Sequence, residues 1–353
     1  MKFKKYLNVI LPSVFVLIFA FWCFFGNTPD YSESERRQLA GFPEVSFETI
    51  SSGEFAKDFE EYTTDRFPLR DGWRSVKAYT RLNLFMQKEN NDLYVKDGHI
   101  SKLEYPMNEN MLDYAANLFG KVQQKYFQGN KCYIAIIPDK NKYLAELKFD
   151  YDEFYNYMYG KMPFCTPIKI DELLSADDYY FTDSHWKQER IIDVARHIAN
   201  SMSTDIPEHY VLLNLDTEFY GVYAGQSALK VKPDVINYLT NKTIKEFKVS
   251  GANAVYDMQK AEGKDPYELF LSGNQPLVKI ENPNGQDNKK LVVFRDSYAS
   301  SIAPLLAQGY SEVTLVDLRY MNSAILDQFV DFEGSDVLFL YSTSVLNNST
   351  SMK

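Results

Sequence analysis

The sequence predicts an α/β fold: a three-layer sandwich in which helices cover both faces of a parallel sheet, behind one N-terminal transmembrane helix. Two observations carry the prediction. Short apolar runs alternate with stretches of helical periodicity, the pattern of strands that crossover helices bury on both faces. A charge-free run from Tyr6 to Gly26 follows Lys2, Lys4 and Lys5.

That N-terminal run is long enough to cross a bilayer, which takes about 20 residues. The lysines before it, and Asp30, Glu33 and Glu35 after it, put the N-terminus in the cytoplasm and the rest of the chain outside. A cleaved signal peptide is the competing reading. It requires a shorter apolar core and small residues at a cut site, which Phe24-Phe25-Gly26-Asn27 does not offer. The expected organisation is therefore an anchor over residues 1–27, a polar stalk and N-terminal extension over 28–75 that closes on Asp65–Trp73 (DRFPLRDGW), and a main domain over 76–353.

Within the main domain, Leu93–Leu103 reads as a hairpin about Asp97-Gly98. Leu112, Ala115, Leu118, Phe119 and Val122 have helical spacing within Met111–Phe127. Cys132–Ile137 is a buried strand that Pro138 and Asp139 end. Tyr143–Tyr159 reads as mostly helical, Tyr179–Phe181 as a short strand and Lys187–Met202 as an amphipathic helix. Residues 203–275 read as irregular. Strands Leu277–Ile280 and Lys290–Phe294 flank an Asn284-Gly285 turn. A helix at Ser300–Gln308, a strand at Val313–Asp317, a helix at Ser323–Phe329 and a strand at Val337–Tyr341 complete the pattern.

Composition excludes some functions. The 353 residues carry a net charge of −10, with no dense basic run beyond the first few residues, so nucleic acid is excluded as a partner. No Cys and His spacing suits a metal, and no cofactor is expected. The 26 Tyr and 25 Phe suit a sugar-facing surface or, equally, core and sheet positions. Cys132 and Cys165 either pair in an exported domain or stay free thiols.

The most informative stretch is Leu291–Tyr298, LVVFRDSY. An apolar strand ends, Ser297 follows, and a helix begins whose first N–H groups can stabilise an oxyanion. The alternative is an Asp or Ser that caps the helix. A Ser hydroxyl needs a base. Of the four His, His185 lies between a strand and a helix in Tyr179–Trp186, YYFTDSHW, two residues after Asp183. At that spacing a carboxylate can fix the imidazole tautomer and leave the other nitrogen for Ser297. Asn274 is a candidate oxyanion donor or a turn residue, and Lys140 is a strand-end candidate for substrate contact or a solvated Lys at a helix start. Tyr298 either orients substrate or packs. Asp317 and Arg319 read as a structural ion pair.

The segment DYYFTDSHWK (Asp178–Lys187) resembles the signature of the DHHW family, whose members resemble alginate O-acetyltransferases and share an SGNH-hydrolase-like fold. The resemblance continues in Ile136–Tyr143, Phe270–Asn282, Arg295–Tyr320 and DRFPLRDGW, and covers nearly all of the chain beyond the anchor. It implies a flavodoxin-like parallel sheet and a Ser297–His185–Asp183 triad, with the motifs in permuted order relative to ordinary SGNH enzymes. The implied activity is O-acetyl transfer to a cell-envelope or exported polysaccharide. Acetyl groups would reach the site through a multispanning membrane O-acyltransferase. A carbohydrate acetyl esterase with the same triad and a non-catalytic polysaccharide-assembly protein are the alternatives. The chain departs from the family pattern at Ser184, the second position of the four-residue motif, and at Arg295, which is expected to crowd the oxyanion side. The Phe219–Gln226 segment is the expected acceptor platform.

Overall fold

The computed structural model describes residues 2–26, 29–103, 106–144, 149–207, 209–286 and 288–353; Asn27 of the expected anchor and residues 145–148 of the helix expected over Tyr143–Tyr159 lie outside these. The chain divides into two compact units, one of Met1–Leu93 with Val222–Val231, the other of Tyr94–Gly221 with Lys232–Lys353.

In the first unit, helix α1 (Lys2–Phe25) contains a span, Asn8–Phe25, long and apolar enough to cross a membrane. The expected stalk is largely helical: α2 (Phe47–Ser52), α3 (Glu54–Asp65) and α4 (Arg70–Tyr79). Ser46 caps α2 and Gly53, at φ 81°, takes the left-handed turn that separates α2 from α3.

The second unit holds the sheet. Its strands are β1 (Cys132–Ile137), β2 (Thr166–Pro167), β5 (Lys248–Ser250), β6 (Leu277–Glu281), β7 (Lys290–Arg295), β8 (Glu312–Val316) and β9 (Ser335–Ser342), with a separate hairpin of β3 (Val211–Phe219) and β4 (Asp234–Thr240). The described residues form a seven-stranded sheet in the order β2-β1-β9-β7-β8-β6-β5. Strands β2 to β8 in this order run parallel, Val293 pairing with Leu338 on one side and Leu315 on the other. Strands β6 and β5 are antiparallel additions at the edge.

Alternate residues of each strand feed two cores. Ala135, Ile137, Val293, Leu338 and Leu340 pack with Val194 and Ile198 of α7 (Ile192–Ser201) and Ile302 and Leu306 of α8 (Ala299–Leu306). Ile134, Ile136, Phe294, Val337 and Phe339 pack on the opposite face with Leu112, Phe119 and Val122 of α5 (Glu109–Tyr126) and Phe154 and Met158 of α6 (Tyr151–Lys161). Period-2 alternation with both faces apolar is what makes three layers. Cys132 and Cys165 form a disulfide between the start of β1 and the approach to β2.

Strands β6 and β7 flank the Asn284-Gly285 turn as expected, without pairing, because β8 lies between them and bonds to both. Three expectations are corrected. Residues 203–275 are not irregular throughout but contain the β3–β4 hairpin. Tyr179–Phe181 makes only the isolated bridge Tyr179–Trp186, because other groups occupy its polar backbone atoms. The helix expected from Lys187 opens as a single 3-10 turn, Gln188–Arg190, and becomes α-helical at Ile192.

Candidate active site

Ser297 lies in the turn between β7 and α8, beyond the carboxyl ends of the parallel strands. Buried Asp296 builds that turn. Its Oδ1 accepts from the Tyr298 N–H at 3.0 Å, and its Oδ2 accepts from the N–H and hydroxyl of Ser342, both at 2.7 Å. Asp296 thus does the local capping, and the Ser297 hydroxyl is left to meet a partner from another segment.

That partner is His185. Its Nε2 is 2.8 Å from Ser297 Oγ, and its Nδ1 is 2.6 Å from Asp183 Oδ1. Asp183 Oδ1 also accepts from the His185 backbone N–H at 3.0 Å, so one carboxylate fixes both the ring and its chain. The structure brings these three sequence-derived candidates into one hydrogen-bonded line. Asp183 is buried, and His185 and Ser297 are partly open.

The loop that carries Asp183 is gripped through its backbone from both sides. Lys140, just after β1, donates its ammonium to the carbonyls of Tyr180 at 2.8 Å, Phe181 at 3.2 Å and Asp183 at 2.7 Å. Asp234, at the start of β4, accepts from the N–H groups of Phe181 at 2.9 Å and Thr182 at 2.7 Å, and from the Thr182 hydroxyl at 2.6 Å. Burial pushes the Lys140 ammonium down to about 7, opposed by the charges of Asp183 and Asp234. Lys140 was a candidate for substrate contact. Its ammonium is buried against carbonyl oxygens, and its geometry is that of a positioning residue.

Of the other candidates, Asn274 is exposed on the loop before β6, after Leu271, Ser272 and Gly273, all at positive φ. Tyr298 is buried, and its hydroxyl donates to the Ser184 carbonyl at 2.7 Å, joining the Ser-bearing turn to the His-bearing loop. Arg295 does not crowd the crevice. It is fully buried, donating to the Ser300 hydroxyl at 2.8 Å and the Gln275 carbonyl at 3.1 Å, and so ties the Asn274 loop to α8. Arg319 meets Asp317 through Nε at 2.9 Å and Nη2 at 2.7 Å, the expected ion pair. The expected acceptor platform is corrected at Phe219, which is buried edge-on against Tyr180 at 5.1 Å; Tyr220 remains exposed.

Sequence reasoning missed three supports. Tyr267 stacks on the His185 ring, centroids 4.0 Å apart and planes 15° off parallel, and donates to Ser301 Oγ at 3.0 Å. Ser301 also accepts from the indole N–H of buried Trp186 at 2.9 Å. Gly221 lies so close to the Asp183 loop that a Cβ there would fall 2.3 Å from Asp183 Cβ. Trp186 stands in the quoted motif; Tyr267 and Gly221 carry no local signal. Among the described residues no His, Cys, Asp and Glu side chains gather as a metal site requires.

No known family model and no curated protein sequence matches the chain. Solved structures do. A DHHW family protein from Eubacterium siraeum superposes with a TM-score of 0.59 at 20% identity, covering 74% of this chain and 95% of that one. PatB1 of Bacillus cereus gives 0.59 at 21% identity, covering 73% and 97%; the same protein with a sulfonyl adduct gives 0.58. The second unit has the layered sheet that the DHHW resemblance implies, and the chain has the fold of the DHHW family protein and of PatB1.

Proposed function

We propose that the chain is an extracytoplasmic O-acetyltransferase that modifies a cell-envelope or exported polysaccharide. The observation that carries the reading is the line from Asp183 through both ring nitrogens of His185 to Ser297 Oγ. In this reading His185 Nε2 takes the hydroxyl proton as Ser297 Oγ attacks the acetyl carbonyl. Asp183 keeps Nδ1 protonated and stabilises the imidazolium. The Tyr298 N–H is occupied by Asp296, so the oxyanion falls to the Ser297 N–H and the Asn274 side chain. Collapse expels the donor's leaving group, which takes the proton from His185, and the acetyl remains on Oγ. A sugar hydroxyl then gives its proton to His185 and attacks the acetyl carbon. The second collapse returns that proton to Ser297.

The apolar span of α1, with lysines before it and carboxylates after it, supports an anchored, outward-facing domain. Acetyl-CoA is not available there. A multispanning membrane O-acyltransferase is the partner this reading requires as the source of acetyl groups.

The test uses full-length protein with an activated acetyl ester, with and without envelope oligosaccharides, read by mass spectrometry. Ser297→Ala, His185→Ala and Asp183→Ala are each expected to lose at least about 10³-fold of turnover. Oligosaccharide is expected to gain acetyl mass and to speed donor consumption, since positioning of an acceptor can outcompete bulk water. Near-normal turnover by Ser297→Ala overturns the mechanism. Acetate release that ignores the acceptor, with no glycan gaining mass, replaces transferase with esterase.

A further inference from the structure

The first unit has its polarity reversed. Its interior is a knot of charges: Glu35 meets Arg70 at 2.5 Å and Arg74 at 3.2 Å, and Asp65 meets Arg37 at 2.6 Å and Arg70 at 3.1 Å. The side chains of Arg70 and Arg74 are only 14% and 15% exposed, and that of Asp65 only 2%. The other face of α4 and its lead-in residue carry Leu69, Trp73, Val76 and Tyr79, which are 66%, 48%, 56% and 66% exposed. Positions i, i+4, i+7 and i+10 make one stripe of a helix. A helix on a water-soluble domain turns such a stripe inward and its arginines outward. Here the arrangement is inverted, so the medium outside the stripe must be apolar.

The anchor indicates which apolar medium. Asn8–Phe25 is 18 residues long, and at 1.5 Å per residue it spans about 27 Å, against about 30 Å of hydrocarbon. All of it is needed to cross, so its last two turns lie within the outer leaflet. The α3 region is held against those turns. Phe24 stacks on Phe59 at 6.1 Å, Phe19 stacks on Phe67 at 5.5 Å, and the Cys23 thiol faces the Thr63 carbonyl at 3.7 Å. Phe67 therefore shares the depth of residue 19, and Leu69 and Trp73 follow directly from it. Trp and Tyr favour the headgroup boundary, where an apolar ring and a polar tip are both solvated.

We infer that the first unit is an interfacial collar whose Leu69–Trp73–Val76–Tyr79 stripe sinks into the outer leaflet beside the anchor. The inference rests on the anchored reading above. The charged knot fits this role, because arginines paired with Glu35 and Asp65 do not have to be desolvated as lone charges when the collar meets lipid.

The test is depth-dependent quenching on the full chain reconstituted in phosphatidylcholine vesicles. Flotation first reports whether the chain is anchored. Trp73 emission is then taken as the difference between wild type and Trp73→Phe, which removes the contributions of Trp22 and Trp186. Expected is at least about twofold quenching by lipid brominated near the head of the acyl chain, with little response to aqueous iodide. Quenching by iodide but not by bromolipid, in vesicles that float with protein, overturns the collar and leaves the anchor standing. Protection from both quenchers means that protein covers the stripe, and also overturns it. Failure to float removes the anchored reading and the collar together.

Discussion

Lys140 Nζ and the Asp183 carbonyl oxygen lie 2.7 Å apart, so a buried ammonium holds the backbone of the residue whose side chain orients His185. The contact acts on the chain, while the Asp183 carboxylate meets the imidazole Nδ1 at 2.6 Å. Replacement by an apolar chain of similar length should let the loop shift while the core remains filled. Lys140→Met is expected to stay folded and to lose about 10²-fold in kcat with little change in KM, the cost of a small misplacement. If Lys140 acts through Asp183, adding Lys140→Met to Asp183→Ala should cost far less than it does alone. Additive losses would mark Lys140 as a general scaffold residue.

Burial also gives Lys140 a pH signature. Its ammonium loses its proton near pH 7 in the folded chain, against an ordinary value of 10.5. Between those values the unfolded chain binds more protons, so raising the pH favours the folded chain. Lys140→Met lacks this contribution. Wild type should therefore gain stability relative to Lys140→Met as pH rises from 7 to 9, measured by urea unfolding in parallel. A difference that is flat or falls with pH means that burial does not lower the affinity of Lys140 for its proton.

The stack of Tyr267 on His185 separates ring from hydroxyl. Tyr267→Phe keeps the ring and loses only the bond to Ser301, and should retain turnover within about fivefold, a hydrogen bond being worth about 1 kcal/mol. Tyr267→Leu removes the flat face against which the imidazole rests and should lose about tenfold, the upper end of what an aromatic pair contributes. Equal losses in the two variants would assign the role to the hydroxyl.

Gly221 has no room for a methyl group beside Asp183. Gly221→Ala should push the Asp183 loop, lower turnover about tenfold or more, and destabilise the chain by about 1–3 kcal/mol through overpacking. Measurement of both quantities matters, since full turnover with unchanged stability would show that the loop yields at no cost.

Much of this was legible in the residues, for identifiable reasons. Cys132–Ile137 is apolar on both alternating faces and flanked by breakers, so its strand was found with its bounds unchanged. Asp183 and His185 are two residues apart, a pairing that local spacing reports. The β3–β4 hairpin was missed although Leu213, Leu215 and Phe219 alternate with Asn214, Asp216 and Glu218; the strand is exposed at nearly every position and stands outside the main sheet, so nothing in the surrounding pattern reinforced it. Tyr179–Phe181 has the composition of a strand. Lys140 and Asp234 occupy its carbonyls and N–H groups instead, and both come from distant segments. Tyr267 and Gly221 were invisible for the same reason: each acts across more than thirty positions of chain on a residue that no local pattern couples to it.

The Asp296 carboxylate, which shapes the Ser297 turn, is completed by Ser342 at the end of β9. A ribosome makes β7 well before β9. The nascent chain therefore carries Ser297 through synthesis without the brace that sets the geometry of its turn, and the turn closes only when the last strand takes its place beside β7. Maturation of the site is in this way tied to completion of the sheet, and a chain truncated before Ser342 would retain all three candidate residues and still lack a properly formed elbow.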